Sequence, residues 1–168
     1  MIPCSNPLAQ FRSHDSEIIQ AFRDVLESGI RALFLSEAIS EHALKVYNNE
    51  HYWGYTQLEA LYYLLENIDA FGLNIQTLRI RPHPSESSAK FLSILNRFKI
   101  KIELSIASSL WEDIAWSNIV LGCNSMAMAA SLGSKRRVVC VIPPEGGCCK
   151  LPHLNIESLA FLVDAKRK

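Results

Sequence analysis

The chain has no surplus of either charge. Its 168 residues hold 17 Lys plus Arg against 17 Asp plus Glu, a formal charge of zero. Nonspecific binding to nucleic acid or to an anionic membrane needs a basic excess, so neither partner is expected. Nowhere does an apolar run approach the roughly 20 residues of a membrane span. The uncharged stretch from Asn118 to Gly133 is interrupted by Asn124 and Ser125. A basic n-region leading into an apolar h-region is missing at the N-terminus, so no signal peptide is expected. Walker, G-x-G-x-x-G, H-E-x-x-H and G-x-S-x-G patterns are missing too. P-loop hydrolysis, dinucleotide redox chemistry and zinc proteolysis therefore lack support. There is no internal repeat, low-complexity tract or linker.

What is present is globular. An apolar share of 49% and a charged share of 20% exclude wholesale disorder. A chain of this length suits one domain that buries about two-thirds of its unfolded surface. The cysteines are odd in number, at Cys4, Cys123, Cys140, Cys148 and Cys149. Cys123 and Cys140 fall in apolar, strand-like runs, which reads as reduced thiols and a cytoplasmic location.

Apolar runs alternate with helical patterns. Residues 17–28 place Ile18, Phe22, Val25 and Leu26 at helical spacing, a lead-in helix within residues 1–30. Strands are expected at 31–36, 77–82, 101–106, 118–122 and 137–142. Residues 37–54, with His42, His51, Tyr52 and Trp53, read as irregular. Thr56 and Glu59 form a capping box for a helix whose apolar face holds Leu58, Leu61, Tyr62, Leu65 and Ile68. Ser85 or Ser87 is expected to cap a helix burying Phe91, Leu92 and Leu95. Short helices are expected near 109–116 and 126–132, and a last helical segment near 155–163. This order predicts a single α/β, Rossmann-like, doubly wound domain over 1–168, with a mainly parallel sheet of about five to six strands.

In such folds ligands bind where strands exit into helices. Three exits gather polar residues: Ser36-Glu37, Arg81-Pro82-His83-Pro84-Ser85-Glu86 and Gly122-Cys123-Asn124-Ser125. In the last, a short polar turn opens a helix of small residues whose free N–H groups suit an anion. Asn124 or Ser125 serves equally well as a plain N-cap. His83, bracketed by prolines, is aimed either at a phosphate oxygen or a leaving group, or into solvent as a turn residue. Arg81 shares a strand face with Arg79 and lies nearer the ligand end. The loop containing Glu145 and Gly146 also borders the crevice or is plain surface. A zinc set of Cys140, Cys148, Cys149 and His153 lacks the C-x2-C spacing of ribbon sites. A thiol nucleophile at Cys123, with His83 as base, has the helix N-terminus in its favour but no flanking signature.

The segments FLSEAISE, LRIRPHPSE, NIVLGCNSMAMAASLG and VVCVIPP, in that order over residues 31–163, resemble the C-terminal, nucleotide-binding half of GT-B glycosyltransferases. The likeness is to bacterial sialyltransferase-like and capsule or lipooligosaccharide enzymes with an HP motif and a later serine motif. The resemblance implies that His83 meets the donor phosphate and acts in catalysis. It further implies that Ser125, with Asn124 beside it, binds phosphate at a helix N-terminus; with the strand-exit residues Arg81, Pro84, Ser85, Glu86 and Met126 these form the expected nucleotide and phosphate site. Ser36, Glu37, Glu145 and Gly146 complete the expected crevice. Met126 stands where the family often has a second serine, and no Glu occurs between Ser125 and Gly133, a pattern that favours a CMP-type donor. The implied function is the donor half of a nucleotide-sugar glycosyltransferase for cell-surface glycans, needing no metal or other cofactor. The acceptor domain would then lie on a missing N-terminal domain or partner subunit. The other reading is a non-catalytic nucleotide or sugar-phosphate binding module.

Overall fold

The structure, a computed structural model, describes residues 29–152 and 155–167. The expected lead-in helix over 17–28, Cys4 and His153 lie outside the described residues. In chain order the elements are β1 (Ile30–Leu35), α1 (Ile39–Tyr47), α2 (Gln57–Glu66), β2 (Ile75–Arg81), β3 (Lys101–Leu104) and α3 (Leu110–Trp116). They continue with β4 (Ile119–Gly122), α4 (Met126–Gly133), β5 (Arg137–Cys140), β6 (Ile156–Ser158) and α5 (Leu159–Lys166). Short 3-10 turns occupy Ile68–Phe71, Ser88–Ile94 and Pro144–Gly146.

The strands form one sheet in the order β3-β2-β1-β4-β5-β6, and every neighbouring pair is parallel. With helices flanking it, this is a Rossmann-like doubly wound domain. Strands covered on both faces must be apolar where they are covered, which is why β1 from Ala32 onward and β4 read as continuous hydrophobic runs. Phe34 pairs with Ile80 on one side and Leu121 on the other, and all three are fully buried. Each such side chain contributes about 1.5–3 kcal/mol relative to exposure. Gly122 ends β4 because α4 packs directly on it: a Cβ there would lie 3.0 Å from Met128 Sδ. That close approach sets the turn from β4 into α4.

The capping box forms as expected. Thr56 Oγ1 accepts the Glu59 N–H at 3.2 Å, and Glu59 Oε2 accepts the Thr56 N–H at 2.7 Å. Among the described residues, no helix is long and apolar enough to cross a membrane.

Three expectations need correction. Residues 37–54 are not irregular throughout, because α1 occupies Ile39–Tyr47. Ala43 is its one buried residue, while Leu44, Val46 and Tyr47 stay exposed, so no apolar stripe marks it. The helix expected after Ser85 or Ser87 is 3-10 instead, with Ser87 Oγ accepting the Ala89 N–H. Phe91 and Ile94 are buried there, but Leu92 faces solvent. The final segment begins as β6 before turning helical. Three half-exposed residues on a sheet edge carry too little pattern to be read as a strand.

Candidate functional site

In this strand order the chain leaves β1 toward β2 on one side and comes back to β4 on the other. Their outgoing loops therefore part, and the gap between them opens a crevice at the C-terminal ends of the strands. A cleft of about 680 Å³ lies there. The β1 exit contributes Glu37, Ala38 and Ile39, the β2 exit His83 and Ser85, and the β4 exit Asn124, Ser125 and Met126. Gly146 and Lys150 come from the connection after β5; His42, Trp53 and Tyr55 come from α1 and the turn beyond it.

The structure thus brings Glu37, His83, Ser85, Asn124, Ser125, Met126 and Gly146 to one cavity. Ser36, Arg81, Pro84, Glu86 and Glu145 are not among its lining residues. Arg81, expected beside the ligand, turns away from it. Its Nη1 donates to Asp113 Oδ2 at 2.6 Å and to the carbonyls of Ala107 and Ser109. Strand alternation explains this, since Arg79 projects to the same face and meets Asp113 Oδ1 at 3.2 Å.

Glu86 supports the site from behind. Its side chain is wholly out of solvent, and Oε2 accepts the His83 N–H at 2.7 Å. Oε1 accepts the Ser36 hydroxyl at 3.0 Å and pairs with Lys90. The carboxylate thereby ties the β1 exit to the Pro-His-Pro turn. Ser85 N–H, which can only donate, points at His83 Nδ1 at 3.2 Å, and the Ser85 hydroxyl lies 2.7 Å from the same atom. A neutral ring therefore carries its proton on Nε2, so the edge away from the turn is the donor.

On the opposite wall, Ser125 Oγ accepts the Ala127 N–H at 3.2 Å as the α4 N-cap. The cap uses a lone pair and leaves the O–H able to donate. Asn124 braces the cleft: its Oδ1 accepts the Lys150 N–H at 2.7 Å. Its own N–H does not wait for an anion. Glu37 Oε1 accepts it at 2.7 Å, so a carboxylate of the chain already sits at the β4–α4 turn. Burial pushes the Glu37 carboxyl above the usual carboxylate range. Amides of Asn124, Cys123 and Ser125, and the nearby His83, pull it back only in part.

The thiol reading of Cys123 fails on burial. Cys123 is 1% exposed, and burial first, then the Glu37 charge, hold its thiol well above the ordinary value. It stays protonated, beside the equally buried Tyr55. Cys140 is likewise pushed up to about 12, chiefly by burial. No cluster of His, Cys, Asp or Glu suited to a metal occurs among the described residues.

His42, Trp53, Tyr55 and Lys150 were not singled out for the site from sequence. The signal for two of them was present: Trp53 and Tyr55 belong to an aromatic-rich stretch in the connection that leaves β1. Compared with family models, with curated proteins and with solved structures, the chain has no match.

Proposed function

We propose that this cleft binds the phosphate-bearing part of a nucleotide or nucleotide sugar, and that the chain is the donor half of a glycosyltransferase for cell-surface glycans. The observation that carries the reading is the convergence of His83 and Ser125 on one cavity where the strand order reverses. His83 Nε2–H and the Ser125 hydroxyl are donors set on separate elements. Fixed donors of this kind stabilise phosphate charge as a metal ion would, and they do not reorganise as charge builds on the leaving group. His83 is the acid candidate at that oxygen. Because Glu37 holds the Asn124 amide, the phosphate sits on the His83 and Ser125 side, not at that amide. A CMP-type donor is the first choice, and the reaction belongs in the cytoplasm.

One observation favours a second reading, a non-catalytic nucleotide or sugar-phosphate binding module. Among the described residues Glu37 is the only carboxylate lining the cavity, and it is already engaged by the β4–α4 turn. No other carboxylate among the described residues lines the cleft as a general base, so in the transferase reading the base would come from an acceptor domain or partner subunit.

Calorimetric titration with cytidine and uridine monophosphates tests both readings. Binding is expected, and His83→Ala or Ser125→Ala should weaken it about ten- to a hundredfold, the worth of one charge-assisted hydrogen bond. A folded chain that binds neither nucleotide discards the site. Sugar transfer by this chain alone would discard the binding-module reading.

A further inference from the structure

The Trp53 side of the cleft is more elaborate than a phosphate requires. Tyr47 ends α1, Tyr52 and Trp53 follow it in the turn, and the three rings pack on one another. Tyr47 and Tyr52 stack with centroids 3.6 Å apart and planes 5° from parallel. The Trp53 ring plane is nearly perpendicular to both, with centroids 5.7 and 4.9 Å away. Even so, Tyr47, Tyr52 and Trp53 remain 41%, 49% and 37% exposed. Rings that pack on each other while facing water fix an indole in one orientation at the surface, and contiguous exposed apolar area of that kind marks binding sites.

The turn is held at both ends. His51 Nε2 lies 3.1 Å from Glu59 Oε1, which couples the turn to the capping box of α2. Gly54, at φ +83°, passes so near the connection after β5 that a Cβ would lie 2.5 Å from the Glu145 carbonyl oxygen. Only glycine accommodates both that φ and that approach. Lys150, also lining the cleft, places its ammonium 4.9 Å from the Trp53 ring centroid.

Resting on the nucleotide reading above, we propose that Trp53 and Lys150 form the nucleobase subsite. The base stacks against the Trp53 indole, and the Lys150 ammonium donates to a carbonyl oxygen on the base edge. The two-sided chemistry of the cleft selects this occupant. His83 and Ser125 supply donors for a charged group, whereas Ala38, Ile39 and Trp53 offer an apolar surface for a flat ring. A sugar phosphate matches the first side only, since its remaining surface is hydroxyls. Lys150 adds a preference for bases with a ring carbonyl, such as cytosine, over adenine, which has none.

The test compares cytidine monophosphate, adenosine monophosphate and ribose 5-phosphate by calorimetry on the full chain and its Trp53→Ala and Trp53→Phe variants. Cytidine monophosphate should bind roughly five- to a hundredfold more tightly than ribose 5-phosphate, the span expected of one base–aromatic stack. Trp53→Ala should remove most of that margin and leave ribose 5-phosphate affinity unchanged, while Trp53→Phe keeps much of it. Indole emission should be quenched by cytidine monophosphate in the parent chain and not in Trp53→Phe. Equal affinity for the nucleotide and ribose 5-phosphate in the parent chain overturns the base subsite and leaves the phosphate reading standing. Failure of all three ligands to bind overturns both. If Trp53→Ala weakens ribose 5-phosphate as much as the nucleotide, or if adenosine binds as tightly as cytidine, the assignment of Trp53 or of Lys150 falls.

Discussion

Two polar clusters flank the end of β2, and they differ in what their hydrogen bonds are used for. Arg79 and Arg81 face a cluster closed on itself. Asp113, fully buried, takes both guanidinium groups and the Ser105 hydroxyl, while Arg79 also meets Glu103 at 2.7 Å and lies 3.7 Å from the centre of the Trp116 ring. His83, two residues beyond, has one ring nitrogen tied to its own turn and the other edge toward the cleft. Ser125 and Lys150 across from it also keep donors in hand. Polarity alone therefore does not mark a site. Capacity used inside holds the fold, and capacity left over is open to a ligand.

The sharpest way to break this comparison is Asp113→Ala. It leaves two guanidinium groups without their shared carboxylate and should cost about 3–5 kcal/mol of stability, the usual penalty for breaking a buried pair. Urea unfolding would read it, and the folded fraction should bind cytidine monophosphate as before. A loss of affinity would mean that the two clusters are one.

Glu86 lies between the two cases, since its side chain is as buried as that of Asp113 yet it serves the cleft. Glu86→Ala should cost about 2 kcal/mol through the lost charged hydrogen bonds. It should also weaken nucleotide binding, because the His83 N–H loses its anchor. Unchanged affinity in calorimetry would show that the prolines alone hold the turn.

The smallest effect is expected at Glu37, within the cleft. Its carboxyl is raised in the folded chain, chiefly by burial, so the native state keeps its proton to higher pH than the unfolded chain does. The resulting help to folding is present below the ordinary Glu value and is lost as pH rises through the raised one. Glu37→Gln keeps an oxygen for the Asn124 N–H and has nothing to titrate. Its urea midpoint should therefore change less between pH 4 and 8, with the balance shifting toward the variant as pH rises. A parallel pair of curves would mean that Glu37 ionises as freely in the folded chain as in the unfolded one.

Much of the frame was legible from residues alone. The apolar runs became strands within one or two residues, and Thr56 with Glu59 announced α2. α1 escaped because its outer residues stay in water, and β6 because three edge residues have no period to read. At the site, the strand-exit rule led to Glu37, His83 and Ser125. It misled at Arg81, whose partner Asp113 lies 32 positions onward, and it did not reach Lys150.

The sequence by itself determined the layered parallel sheet and the helix caps. Continuous burial demands continuous apolar side chains, and a cap is closed by residues two or three apart. Only the tertiary structure decided which polar groups were used up. Glu37 meets the Asn124 amide across 87 positions, and Ser36 meets Glu86 across 50. Whether a donor is free for a ligand depends on such distant partners, and a hydrogen bond reaches only about 3 Å. Folding must bring the partners together before any group is left over.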